Sequence, residues 1–135
     1  MIAQNALKLK YIDSLVSVYS EMAANKKFEV IKGSLLLEGN KTKSIQFLKN
    51  GDKVKMIIIE DSLKENVEFY FLQNNKLIFT STFLNGNLNN INYSVYFLDD
   101  TAFMKQNNLL KPVNKQIWIT QIEAYFDLFA EQLKI

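Results

Sequence analysis

The stretch from Val67 to Phe83 constrains this chain most. Two runs of aromatic and β-branched residues, Val67 to Leu72 and Leu77 to Phe83, flank a polar Asn74-Asn75. That arrangement is a β-hairpin signal. A two-residue loop at Asn74-Asn75 pairs Leu72 with Leu77, puts Phe71 opposite Ile78, and sets Phe69 and Val67 against Thr80 and Thr82. A three-residue loop that includes Lys76 pairs Phe71 with Phe79, Phe69 with Ser81 and Val67 with Phe83. A one-residue slip moves every side chain to the other face of a strand. Only the second register collects the large apolar groups on one face. Asparagine tolerates the left-handed backbone of a bulged three-residue loop. The three-residue loop is therefore expected.

The 135 residues, 48% hydrophobic and 22% charged, suit one globular domain over 1–135 that buries a core without staples. Pro112 is the one proline, which argues against a linker joining two domains. Cysteine is absent, which excludes disulfides, thiolate metal sites and thiol catalysis. Histidine is absent too, and with it the commonest general base and transition-metal ligand. All 16 basic residues are lysines, spread along a chain of net charge +2. Without arginine or a basic patch, nucleic acid is not an expected partner. No apolar run approaches the roughly eighteen residues of a transmembrane span, and no signal peptide is visible at the start, so either a cytosolic protein or a mature chain with its leader removed is expected.

Along the chain, residues 3–24 read as an amphipathic helix. Its stripe is Leu9, Ile12, Leu15, Val16, Tyr19, Met22 and Ala23, and it stops at Asn25-Lys26-Lys27. The polar face is mixed in sign, so packing on a sheet is expected rather than a membrane surface. Phe28 to Leu37 is a strand with Gly33 as a bulge candidate, followed by a turn at Glu38-Gly39-Asn40-Lys41. Asn50-Gly51 predicts a type I′ turn between strands 42–49 and 53–59, pairing Phe47 with Val54 and Ile45 with Met56. Residues 85–90 form a loop. Ile91 to Leu98 alternates, and a turn at Asp99-Asp100 pairs Phe97 with Ala102 and Val95 with Met104. Residues 106–112 read as a loop. A second helix spans 113–135, with Trp118, Ile122, Tyr125, Phe126, Phe129 and Leu133 as its stripe. Thr120 and Glu123 fit a capping box, which would start that helix at Thr120 with 116–119 extended.

The expected fold is α+β: an N-terminal helix, an antiparallel meander of about seven strands, and a C-terminal helix. Both helices on one face is the simplest arrangement, and seven twisted strands can curl into a half-barrel.

The hairpins Phe69-Tyr70-Phe71-x-x-Asn74-Asn75-Lys76-Leu77-Ile78-Phe79 and Tyr93-x-x-Tyr96-Phe97-x-Asp99-Asp100-x-x-Phe103-x-Lys105, with Ile12-Asp13-Ser14-Leu15-Val16, resemble a group of small bacterial exported proteins, often lipoproteins. The resemblance covers roughly residues 11–105. The chain departs from that group in having Asn75 where glycine is usual, and in lacking the basic and tryptophan residues that often follow the last hairpin. The resemblance implies a cell-envelope location with the leader removed, and says nothing of an activity.

Chemistry-bearing residues are few. Glu60, Asp61, Glu65 and Glu68 could pair as a glycosidase acid and base or hold calcium. Their spacing matches no calcium loop, and a solvated charged connection explains them. Asp99-Asp100 is explained by its turn. No nucleophile motif or phosphate-binding glycine loop occurs, so no cofactor and no catalysis is expected.

In the expected registers a second sheet face carries Leu48, Ile57, Ile59, Tyr70, Leu72, Ile78, Leu84, Tyr96, Leu98 and Phe103. That is too apolar to stay solvated. A helix on each face, a curled sheet, a partner protein, a second copy in a homodimer, or an apolar ligand could cover it. The leading expectation is a binding module of the cell envelope with Tyr70, Tyr96 and Phe103 as anchors. The alternatives are a carrier of a small molecule or lipid between sheet and helix, and a hydrolase using Glu60 to Glu68.

Overall fold

The computed structural model describes residues 2–36, 39, 41–61, 66–83, 91–99 and 101–134. Helix α1 (Ile2–Ala24) forms where the apolar spacing places it, and its seven-residue stripe packs as one layer on the sheet. It ends in a Schellman motif: Lys27 N–H donates to Met22 O at 2.9 Å and Lys26 N–H to Ala23 O at 3.1 Å, with Lys26 at φ 55°.

The strands are β1 (Glu29–Leu36), β2 (Thr42–Asn50), β3 (Lys53–Asp61), β4 (Val67–Gln73), β5 (Lys76–Phe83), β6 (Ile91–Phe97), β7 (Ala102–Gln106) and β8 (Leu109–Val113). These eight form one sheet in chain order, each antiparallel to its neighbours. It is an open meander with β1 and β8 as edges, not a barrel. One strand more than expected is present, because β8 occupies the segment read as a loop. Its turn, Asn107-Asn108, has φ of 53° and 64°, the same values as Asn74-Asn75. Pro112 is accommodated because β8 is an edge strand.

The register at β4–β5 combines both readings. Gln73 pairs with Lys76 and Leu72 with Leu77, so the loop itself is the two-residue Asn74-Asn75. A bulge at Ile78 then shifts the pairing to Phe71–Phe79, Phe69–Ser81 and Val67–Phe83. The three-residue loop is thus corrected, and the facial pattern it was chosen for is present. Two positive φ values match a type I′ turn, and the bulge adds twist.

The β2–β3 hairpin also differs. Asn50 pairs with Lys53, which makes the loop Gly51-Asp52, and a bulge at Lys55 brings Phe47 opposite Ile57 and Ile45 opposite Ile59. Gly51 has φ 66° and takes the first loop position, as in a type II′ turn. The shift buries Ile45, Phe47, Ile57 and Ile59 together. Phe97–Ala102 and Val95–Met104 pair as expected. The turn residues Glu38 and Asn40, the loop 85–90, Leu84, Glu65 and Asp100 lie outside the described residues.

The second helix begins at neither expected position. Val113 ends β8, and α2 (Gln116–Leu128) starts where Gln116 N–H donates to Asn114 Oδ1 at 2.9 Å. Thr120 lies inside the helix, where its hydroxyl accepts from Gln116 Nε2 at 3.1 Å. The helix breaks at Phe129, φ −115°, and resumes as α3 (Ala130–Leu133). The buried Lys49 Nζ donates to Leu133 O at 3.0 Å, satisfying a carbonyl at the helix end.

The two helical layers lie on opposite faces, which corrects the one-face arrangement and matches the helix on each face expected as a cover for the second apolar face. Helices α2 and α3 cover Ile45, Phe47, Ile57, Ile59, Tyr70 and Leu72. Helix α1 covers Leu48, Met56, Phe71, Phe79, Tyr96 and Leu98. The reason is the apolar character of both faces. Each buried side chain of this size contributes about 1.5–3 kcal/mol, so each face needs its own cover. Gly33 is no bulge, since β1 and β2 pair without a shift. A Cβ there would lie 2.9 Å from Phe129 Cζ, so the missing side chain admits the ring of the helix break.

Candidate functional site

Helix α1 lies over a row of large residues that runs across β3 to β6: Met56, Phe71, Phe79 and Tyr96. The neighbouring row on the same face runs Phe69, Ser81, Ser94. Two serines between tall phenylalanines leave a hollow. There α1 and the sheet enclose a half-open groove of about 260 Å³. Its walls are Phe69, Phe71, Phe79 and Phe83, closed on the helix side by Val16 and Ser20. Val16 and Ser20 are four residues apart and so share one helical face. Ring contacts hold the walls: Phe69 meets Phe83 edge-on at 5.5 Å, and Phe71 meets Phe79 at 5.7 Å.

Several contacts tie α1 over this groove. Tyr96 O–H donates to Asp13 Oδ1 at 2.7 Å, and Gln73 Nε2 donates to Tyr11 Oη at 2.9 Å. Lys55, the bulge residue of β3, places its ammonium 5.7 Å from the centre of the Tyr19 ring. The Lys8–Asp99 ion pair, 3.7 Å and solvent-exposed, contributes little.

The three expected anchors do not share a surface. Tyr96 is buried under α1, with its ring 4.9 Å from Phe79. Burial, then the bond to Asp13, raises its pKa above the ordinary value of 10. Phe103 is half-buried on that same face. Tyr70 lies on the opposite face, 1% exposed, packed edge-on against Tyr125 of α2 at 6.4 Å. Burial, then Glu68, raises its pKa as well. The Asn50-Gly51 reading and the unassigned β5–β6 register had merged the two faces.

The acidic stretch separates in the same way. Glu60 and Glu68 lie opposite Val67 and Ile59 on paired strands, so their side chains leave opposite faces. Glu68 accepts from the Tyr70 hydroxyl at 2.5 Å and from Lys43 Nζ at 3.4 Å, which cross-links β2 and β4. Asp61 accepts from Asn66 Nδ2 at 3.0 Å. Among the described residues there is no group of three His, Cys, Asp or Glu able to hold a metal ion, and no helix long and apolar enough to cross a membrane.

The phenylalanines of the groove were legible as one face of the β4–β5 hairpin. The serines were missed. Ser81 is paired with Phe69 in the expected register, and Ser94 shares a face with Tyr96 by strand alternation, so both had a signal. What sequence could not supply was the helix laid across them.

The fold and the groove define an α+β protein with an open eight-stranded meander, a helical layer on each face, and an apolar groove beneath one of them. Compared with known proteins, the chain matches no family model, no curated protein and no solved structure.

Proposed function

We propose that this protein is a non-catalytic binding protein whose ligand is a small, largely apolar molecule held between α1 and the sheet. The observation that carries this reading is the groove walled by four phenylalanines, Phe69, Phe71, Phe79 and Phe83. Its 260 Å³ exceeds the roughly 150 Å³ of a cavity that accepts benzene. It falls just short of the roughly 300 Å³ at which drug-sized sites begin. A single ring or a short chain is the matching size. Work at the cell envelope is supported by the hairpin resemblance alone.

The test is a toluene titration of the purified protein, followed by amide chemical shifts. Saturable shifts at Phe69, Phe71 and Ser81 are expected. They should vanish in Val16→Trp, which fills the groove from the helix side. Shifts that never saturate, or that persist in Val16→Trp, would sink the reading.

A further inference from the structure

The groove holds two groups that apolar walls do not explain. Ser81 on β5 and Ser94 on β6 are cross-strand partners, 6% and 8% exposed, and both line the groove. Among the described residues neither hydroxyl makes a hydrogen bond. Neither hydroxyl oxygen is fully buried, so each keeps a little accessible surface. Thr80, the neighbour of Ser81 on the other sheet face and more deeply buried, donates to Phe69 O at 2.8 Å. The sheet therefore satisfies its buried hydroxyl where there is no groove, and leaves two unmatched where there is one. A hydroxyl that keeps accessible surface and has no protein partner is open to a water or to a polar group of a ligand. Among the described residues no charged side chain lines the groove. Lys105, in register with Ser94, is exposed and stands outside the lining. A charged head group would be desolvated there without a counter-charge.

We infer that the ligand carries one neutral hydrogen-bonding group, a hydroxyl or carbonyl, seated on Ser81 and Ser94 while its apolar body lies among the phenylalanines. This rests on the groove reading and adds the chemistry of the head group. A hydroxyl can both donate to and accept from the ligand, so a phenol or a short-chain alcohol fits as well as a ketone.

The experiment compares toluene, p-cresol and benzoate by the same shift titration, on the wild-type protein and on the Ser81→Ala/Ser94→Ala variant. In the wild type p-cresol should bind about three- to tenfold more tightly than toluene, the range one modest hydrogen bond confers. Benzoate should bind more weakly than p-cresol. In the variant the p-cresol preference should disappear while toluene affinity is retained, which also reports that the groove is intact. Toluene binding without a p-cresol preference, or a preference unchanged in the variant, overturns the head-group inference and spares the groove. Benzoate binding tightest overturns its neutrality. If none of the three binds, the groove reading falls and this inference with it.

Discussion

The hydroxyl of Tyr96 on β6 donates to Asp13 Oδ1 on α1 at 2.7 Å, the shortest, among the described residues, of the side-chain bonds that join the helix to the sheet. The same ring packs on Phe79, so one residue both supports the groove wall and holds its lid. Tyr96→Phe keeps the ring and removes the bond. It should cost about 0.5–1.5 kcal/mol in urea unfolding, the usual net worth of one hydrogen bond. In an Asp13→Ala background the same substitution should cost almost nothing, because its partner is already gone. Equal costs in both backgrounds would mean that the bond does not hold α1.

Gly33 and Phe129 form a second matched pair. A methyl group at position 33 would overlap the Phe129 ring edge, and that ring is held against Phe47 at 5.4 Å. Gly33→Ala should therefore destabilise by about 1–3 kcal/mol, the range for overpacking. Phe129→Ala should be destabilising alone and should cancel most of the cost of Gly33→Ala. A thermal melt of the four variants gives the coupling.

Stability should also fall in alkali, for a reason the tyrosines supply. Tyr70 and Tyr96 have pKa values raised above 10 in the fold, first by burial and then by their carboxylate partners. Tyr19 and Tyr125 are raised too, with burial the leading cause. Below pH 10 both folded and unfolded forms keep these protons, so the contribution is full. Above pH 10 the unfolded chain loses them first, and stability drops as pH rises. Denaturant midpoints should decline from about pH 10 upward, less steeply in Tyr70→Phe. Phenolate absorbance from these residues should rise with unfolding, not before it. Ionisation of all six tyrosines in a chain that stays folded would contradict this.

Much of this architecture could be read from residues. The α1 stripe is complete because helical spacing is a local property, and all seven of its members pack on the sheet. The Phe97–Ala102 pairing followed from a tight turn and an alternating strand. What failed was context. Gln106-Asn107-Asn108 repeats Gln73-Asn74-Asn75, and both asparagine pairs take the same backbone. Yet Leu109-Leu110-Lys111-Pro112 lacks the aromatic and β-branched residues that flag a strand, and edge position is what allows it. Asn50-Gly51 is a strong turn signal, but burial of Ile57 and Ile59 beside Phe47 and Ile45 outweighed it. Bulges at Lys55 and Ile78 change which face a residue takes, and alternation alone does not reveal them. The groove depended on all of this at once, so its serines were visible only as members of a strand.

Strand order in space equals strand order in the chain, and this sets a timetable for synthesis. Each hairpin closes a short loop as soon as its second strand leaves the ribosome, with little entropy to overcome. The helices keep the opposite schedule. Helix α1 is made first, but its partners Phe71, Phe79 and Tyr96 arrive some fifty or more residues later. Helices α2 and α3 are made after every strand, yet they cover strands near the beginning, where Phe129 meets Gly33 and Lys49 reaches Leu133. Until then the face bearing Ile45, Phe47, Ile57 and Ile59 is uncovered. The nascent sheet is thus sticky on one side until α2 and α3 arrive, and its exposure to aggregation or chaperones lasts from the synthesis of β3 to that of α3.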